Sequence, residues 1–261
     1  MSCAVHATDL RFDYPNGVPG LTGVDLHVTH GERVAILGPN GAGKTTLMLH
    51  LNALLQGRGR LEVAGLIVGE DDVKDLRARV GLVFQDPDDQ LFMPTVREDV
   101  AFGPLNLGFS RAEVEDRVQS ALHAVRMDEH GSRAPHQLSL GQRRRVAIAT
   151  VLAMHPSLLV LDEPSANLDP RTRRELIETL DAVERTMLVV THDLPLAARL
   201  CERSVLRSGG RVVADAPTHE LLADEQLLAE HDLELPEGFD LTRLSPSASS
   251  RSRPAASASG P

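Results

Sequence analysis

An α/β fold with a mostly parallel sheet is what this chain predicts, on three observations. The apolar run Val34-Ala35-Ile36-Leu37 enters Gly38-Pro39-Asn40-Gly41-Ala42-Gly43-Lys44-Thr45-Thr46, and a helix-like run follows over residues 45–55. Two more apolar runs, Leu158-Leu159-Val160-Leu161 and Met187-Leu188-Val189-Val190, end in Asp162-Glu163 and Thr191-His192-Asp193. Strands buried on both faces of a parallel sheet read as continuous apolar runs, and ligands bind at their carboxyl ends. Ahead of them, Leu10, Phe12 and Tyr14 share one face, and Val24, Leu26 and Val28 another, with Pro15-Asn16-Gly17 as a turn. Period-two alternation of this kind predicts a pair of antiparallel strands.

The glycine-rich stretch fits the phosphate-binding loop pattern G-x-x-x-x-G-K-[ST] in its strand–loop–helix setting. Glycines let the backbone curl so that several N–H groups point at phosphate oxygens, and the helix N-terminus adds partial positive charge. Lys44 is placed to reach the β- and γ-phosphates, and the Thr45 hydroxyl to ligate Mg²⁺. Tyr14, the chain's one tyrosine, reads either as an amphipathic strand residue or as a platform for an adenine ring.

The chain's 261 residues, 42% of them hydrophobic, suffice for one large α/β domain. Acidic residues outnumber basic ones 37 to 27, a net charge of −10 that argues against a nucleic-acid partner. No apolar run reaches about 18 residues, and the N-terminal stretch does not read as a signal peptide. Cys3 and Cys201 have neither metal nor redox spacing, so a reduced cytoplasm is expected.

Residues 57–69 alternate glycine with apolar residues and predict a hairpin. The run Val80-Gly81-Leu82-Val83-Phe84-Gln85-Asp86-Pro87 predicts a short strand ending in Gln85. A Gln there can reach a metal-bound water; alone it reads as a polar terminus. From Asp88 the pattern turns helical. Ser110-Arg111-Ala112-Glu113 is a capping box, and Val114, Val118, Ala121, Leu122 and Val125 recur at helical spacing. In Leu138-Ser139-Leu140-Gly141-Gln142, Ser139 is placed as an N-cap and Gly141 allows close approach. The arginines at 143–145 read by default as a solvated face. Asp162 is positioned to hold Mg²⁺ through water and Glu163 to take a proton from an attacking water. A helix is expected over 171–184, a hairpin over 205–214 turned at Gly209-Gly210, and a final helix over 218–230.

Together these motifs resemble the ATP-binding cassette ATPases over residues 5–235. The segment 138–142, upstream of Leu161-Asp162-Glu163-Pro164, is similar to the cassette signature. Gln85 matches the Q-loop, Ser165-Ala166-Asn167-Leu168-Asp169 the D-loop, His192 the switch histidine and Tyr14 the aromatic A-loop position. Leu140 departs from the glycine common in the signature, while Ser139 and Gly141 are intact. The resemblance implies a P-loop NTPase core in one domain over 1–240, with an N-terminal antiparallel β subdomain and a helical signature-motif subdomain over about 88–153. A disordered Ser/Ala/Pro/Arg tail is expected over 241–261. It implies that two cassettes meet head to tail and sandwich ATP. Tyr14, residues 38–46, and Ser139, Gly141, Gln142 and Asp169 would contact the nucleotide. Thr45, Gln85 and Asp162 would hold Mg²⁺. Glu163 would be the general base, and His192, Gln85 and Lys44 would complete the catalytic set.

Phe84-Gln85-Asp86-Pro87-Asp88-Asp89-Gln90-Leu91-Phe92 and Thr95-Val96-Arg97-Glu98-Asp99-Val100-Ala101-Phe102-Gly103-Pro104 resemble the ATPases of energy-coupling-factor importers, the cobalt importer above all. The partners implied are a second cassette ATPase, a transmembrane coupling subunit docking at residues 88–92, and a substrate-binding membrane subunit, on the cytoplasmic face of the cell membrane. A vitamin importer ATPase, a soluble cassette ATPase of translation or repair, and a non-catalytic ATP-gated module are the alternatives. A P-loop kinase would leave the signature unexplained.

Overall fold

The computed structural model describes residues 3–241, so the expected tail from 242 onward lies outside the described residues. Strands β1 (Cys3–Asp13), β2 (Pro19–Thr29), β4 (Arg58–Val63) and β5 (Leu66–Ile67) form an antiparallel sheet in the order β2-β1-β4-β5. A second sheet of six strands has the order β10-β9-β3-β8-β7-β6. It contains β3 (Arg33–Leu37), β6 (Val80–Val83), β7 (Leu158–Asp162), β8 (Thr186–Val190), β9 (Arg203–Ser208) and β10 (Arg211–Pro217). Its first five strands in sequence are mutually parallel, and only β10 runs antiparallel.

The apolar runs of β3, β7 and β8 are buried along their whole length because both faces of the six-stranded sheet are covered. Alternate side chains go to separate cores. Val34, Ile36, Leu158, Val160 and Leu188 pack toward the antiparallel sheet and α1 (Lys44–Leu51). Ala35, Leu37, Leu159, Leu161 and Val189 pack toward the helical side. That side includes α3 (Val96–Asn106), α4 (Arg111–Ala124) and α5 (Leu140–Leu152), with α6 (Pro170–Asp181) and α7 (Leu194–Leu200) behind.

Some elements depart from the sequence pattern. A short helix α2 (Val73–Arg79), unmarked in the sequence reading, precedes β6. Helix α1 stops at Leu51 rather than at residue 55. Ala53 adopts a left-handed conformation (φ 56°), and the amides of Leu54 and Leu55 turn back to the Leu49 carbonyl. β6 ends at Val83, so Gln85 lies two residues beyond the strand. The final helix is two: α8 (Thr218–Ala223) and α9 (Glu225–Glu230), because Asp224 leaves helical geometry to cap α9 through the Leu227 amide.

Candidate nucleotide site

The sheet order creates the site. β3, β8, β7 and β6 lie side by side, so the loops leaving their carboxyl ends converge although Gly38 and His192 are far apart in the sequence. These loops carry residues 38–46, Thr191 with His192, Asp162 with Glu163, and Gln85. The ladder continues beyond the strands, with Glu163 N–H donating to Val190 O (2.8 Å) and Thr191 N–H to Ile36 O (3.1 Å).

The loop 38–43 needs its glycines. Gly38 (φ 147°) packs so closely on the Arg207 carbonyl that a Cβ would sit 2.2 Å from its oxygen. Gly43 (φ 80°) meets the Gly20 carbonyl of β2 at the same distance. The loop is therefore gripped by backbone from both sheets and opens onto the N-terminus of α1, a cradle suited to phosphate oxygens. Lys44 Nζ, almost fully buried, donates to Gly38 O (2.7 Å) and Pro39 O (3.0 Å). Burial lowers the Lys44 pKa, opposed by the carboxylates of Glu163 and Asp162.

Thr45 Oγ1 donates to Asp162 Oδ2 (3.1 Å). Burial raises the Asp162 pKa and the nearby Glu163 adds to this, while the Thr45 hydrogen bond and Lys44 oppose it. A hydroxyl and a carboxylate converging in this way are the hard oxygen donors that Mg²⁺ prefers. No cluster of three His, Cys, Asp or Glu side chains among the described residues could hold a metal unaided. Mg²⁺ typically makes up that deficit with water and nucleotide phosphates.

Glu163 sits in a left-handed backbone conformation (φ 42°), sparsely populated for a non-glycine residue, which turns its carboxylate off the end of β7. Thr191 Oγ1 donates to its Oε2 (2.9 Å), while the His192 amide (3.1 Å) and His192 Nδ1–H (2.8 Å) donate to Oε1. The carboxylate is thus almost buried and oriented from three sides, and the imidazole stands mostly in the open. A cavity of about 340 Å³ opens here, lined by Glu163, Ser165, Asn167, His192, Asp193 and Glu234 among others. Larger cavities lie along α9 and beyond α4, but carry no comparable convergence of donors and acids.

Tyr14, half-buried, hydrogen-bonds Thr46 Oγ1 (2.8 Å) and stands edge-to-face with Phe12, their centroids 5.0 Å apart. The tyrosine is thereby tied to the phosphate loop. Gln85 is exposed beyond β6. Ser139 caps α5 in a reciprocal box with Gln142, and the Gln142 amide also reaches His130 (3.1 Å). Gly141 abuts α6 so tightly that a Cβ would lie 2.0 Å from Thr172 Cγ2. Asp169 caps α6 through the amides of Arg171 and Thr172, and hydrogen bonds from Thr172 hold its carboxyl below its usual range.

The arginines at 143–145 are not a solvated face. Arg144 is buried and donates to the carbonyls of Glu163 (2.8 Å) and Pro164, joining the signature helix to the strained turn after β7. Arg143 reaches Asp88 (3.1 Å) and Arg145 reaches Glu175 (3.8 Å). In a run of like charges nothing local distinguishes the arginine that turns inward.

Sequence reasoning placed Thr191 and Asp193 at the end of a strand but assigned neither a role. Asp193 receives a two-pronged contact from Arg173 (2.8 and 2.5 Å) and a hydrogen bond from Ser165 Oγ (2.7 Å), joining the loop of His192 to α6 and the segment after Glu163. Burial alone would raise its pKa, but the hydrogen bonds of Arg173, Ser165 and the Leu196 amide outweigh it and the net shift is downward. A depressed carboxyl stabilises the fold fully above its unfolded value of about 4, and loses that contribution as pH falls through the lower folded value. Asp193→Asn is expected to cost about 1–3 kcal/mol. The gap to wild type, measured by urea denaturation, holds steady from pH 7 to about 5 and closes below about 4.

The sequence pattern of the ABC transporter family matches residues 21–166. A putative ABC transporter ATP-binding protein of Streptomyces avermitilis is 61% identical over 232 residues, covering 88% of each chain. The energy-coupling factor transporter ATP-binding protein EcfA of Methanothermobacter thermautotrophicus is 45% identical over 243 residues, covering 91% of this chain and 78% of its own. Among solved structures, cbiO1 of Clostridium perfringens, part of the ABC transporter complex cbiONQ, superposes with a TM-score of 0.79 at 34% identity, over 90% of this chain and 97% of its own. With the glycine-rich loop and the acidic strand end brought together on one sheet, the chain belongs to the ABC transporter family as an ATPase of the energy-coupling-factor type.

Proposed function

We propose that this chain energises an importer of cobalt or another transition metal ion, working as a head-to-tail pair of cassettes on the cytoplasmic face of the membrane. The observation that carries the transport reading is an exposed apolar surface beside the Gln85 segment. Phe92 is 64% exposed and stands edge-to-face with Phe102 at 4.9 Å, and Leu105 is 54% exposed. Contiguous exposed aromatic and aliphatic side chains of this kind mark interaction sites. The surface is held in shape from beneath. Asp99 Oδ1 accepts the amides of Phe92 and Met93 (both 3.0 Å), and Gln90 Nε2 donates to Ala147 O and Thr150 Oγ1 on α5 (both 2.8 Å). Of the docking stretch 88–92, Gln90 and the buried Leu91 thus turn inward and Phe92 faces out. No helix of the described residues is long and apolar enough to cross a membrane, so transport requires separate membrane subunits. The metal cargo is favoured by the resemblance of residues 84–92 and 95–104 to the ATPases of energy-coupling-factor importers, among which the chain is most similar to that of the cobalt importer.

In this reading residues 38–46 bind the phosphates, through the Lys44 side chain and the backbone N–H groups other than that of Pro39, which has none, and Tyr14 supports adenine. Thr45, Asp162 and Gln85 would hold Mg²⁺, which supplies charge neutralisation at the phosphates. Glu163 accepts a proton from the attacking water while His192 orients that carboxylate and the γ-phosphate. Ser139, Gly141, Gln142 and Asp169 face the nucleotide of the partner cassette. Purification of the tagged chain from native membranes in mild detergent, followed by mass spectrometry, is expected to recover a small membrane subunit and a substrate-binding membrane protein. The identity of the latter decides between metal and vitamin. Recovery of ribosomal or other soluble partners alone would overturn the importer reading.

A further inference from the structure

Arg207 is a fully buried cation directly beneath the phosphate loop, and no part of the site described so far uses it. It lies on β9, next to β3, with 0% of its surface exposed. Nη1 donates to Gly43 O (2.7 Å) and Nη2 to Gly210 O (3.2 Å), while Nε has no partner. Among the described residues no carboxylate forms an ion pair with it. Burial alone pushes its pKa down to about 10, which leaves it charged at neutral pH.

Its two carbonyl partners do not need it. Gly43 O already accepts the Leu47 amide as the first hydrogen bond of α1 (3.0 Å), and Gly210 O already accepts the Thr22 amide (3.0 Å). The guanidinium is thus desolvated without a counter-charge, at the positive end of a helix and close enough to Lys44 to lower that lysine's pKa. Each of these features is unfavourable in the free chain, and replacing an uncompensated buried charge with an apolar side chain of similar size removes its desolvation penalty. All three become favourable when an anion enters the loop above. The geometry also gives a direct route. In a planar trans peptide the carbonyl and the following N–H point in opposite directions. A guanidinium pulling on Gly43 O therefore polarises the Lys44 N–H at the mouth of α1.

We infer that Arg207 is a positioning residue for the nucleotide, a counter-charge set beneath the loop that favours polyphosphate by acting through the Gly43–Lys44 peptide. This rests on the reading of residues 38–46 as the ATP site. The test is ATP affinity by isothermal titration calorimetry, with thermal melting of the nucleotide-free chain, for wild type, Arg207→Met and Arg207→Lys. Arg207→Met is expected to bind ATP more weakly on the order of tenfold, the scale of one charge acting through protein at an effective dielectric of about 20. Its nucleotide-free melting temperature is expected to equal or exceed that of wild type, and in turnover assays KM rises by a larger factor than kcat falls. Arg207→Lys, which keeps the charge, recovers most of the affinity. Unchanged affinity in Arg207→Met overturns the inference, as does Arg207→Lys binding no better than Arg207→Met. An Arg207→Met that fails to fold also overturns it, since the charge would then serve the fold itself. A wild-type chain that binds no ATP defeats the site reading instead, and the inference with it.

Discussion

Replacing Glu163 with Gln leaves ATP binding in place and lowers turnover by about 10²–10⁴-fold, the contribution of a positioned general base. The substitution changes charge and proton affinity but hardly changes shape. One amide oxygen still accepts from the His192 backbone and ring, where Glu163 Oε1 now stands. The amide nitrogen faces Thr191 Oγ1, and a hydroxyl can accept as readily as it donates. The strained turn at φ 42° is retained by Arg144, whose bonds go to the carbonyls of Glu163 and Pro164 and not to the side chain. Stability is therefore expected to move by no more than about 1 kcal/mol. Phosphate release under saturating ATP, with ATP affinity measured on the same preparation, separates the two effects. Hydrolysis at the wild-type rate would remove Glu163 from its assigned role.

The parts of this site that were legible in the sequence are those whose chemistry is local. A loop that must curl around phosphate needs glycine at set spacings, so residues 38–46 announce themselves. Strands buried on two faces must be apolar throughout, so Leu158–Asp162 and the run into Thr191-His192 stand out against polar flanks. The Ser139 N-cap was readable as a local signal, whereas the likeness of residues 138–142 to the cassette signature came from the family resemblance; the structure adds that Gln142 closes a reciprocal box with Ser139. What escaped depends on who the neighbour is. Arg144 and Arg207 are buried cations whose partners are main-chain carbonyls, and a carbonyl carries no residue-type signal. The one hint for Arg207 was its position in the apolar run Val205-Leu206-Arg207, where a charge interrupts a strand. The end of α1 was misjudged for a related reason. Leu54 and Leu55 continue a helical pattern, but the left-handed turn at Ala53 ends the helix first.

Gly43→Ala is expected to damage both stability and nucleotide binding, and the matched variant Gly41→Ala shows why. Gly43 and Gly41 have nearly the same backbone conformation, φ 80° and 82°. Both penalise a Cβ by about 1–2 kcal/mol for the left-handed geometry alone. They differ in surroundings. A Cβ on Gly41 meets nothing within 4 Å, whereas one on Gly43 would lie 2.2 Å from the Gly20 carbonyl oxygen, a main-chain atom fixed in β2. The collision can be relieved only by moving the loop or the antiparallel sheet. Either movement displaces the Gly43 carbonyl from α1 and Arg207 together. Gly43→Ala is thus expected to cost about 2–4 kcal/mol of stability and at least about 100-fold in ATP affinity. Gly41→Ala should cost about 1–2 kcal/mol from strain with a far smaller loss of binding. Urea midpoints and ATP titrations of the pair check this directly. Equal losses in the two variants would mean that backbone strain alone governs the loop. A larger loss at Gly43 would show that the antiparallel sheet, through Gly20, sets the shape in which the loop receives phosphate.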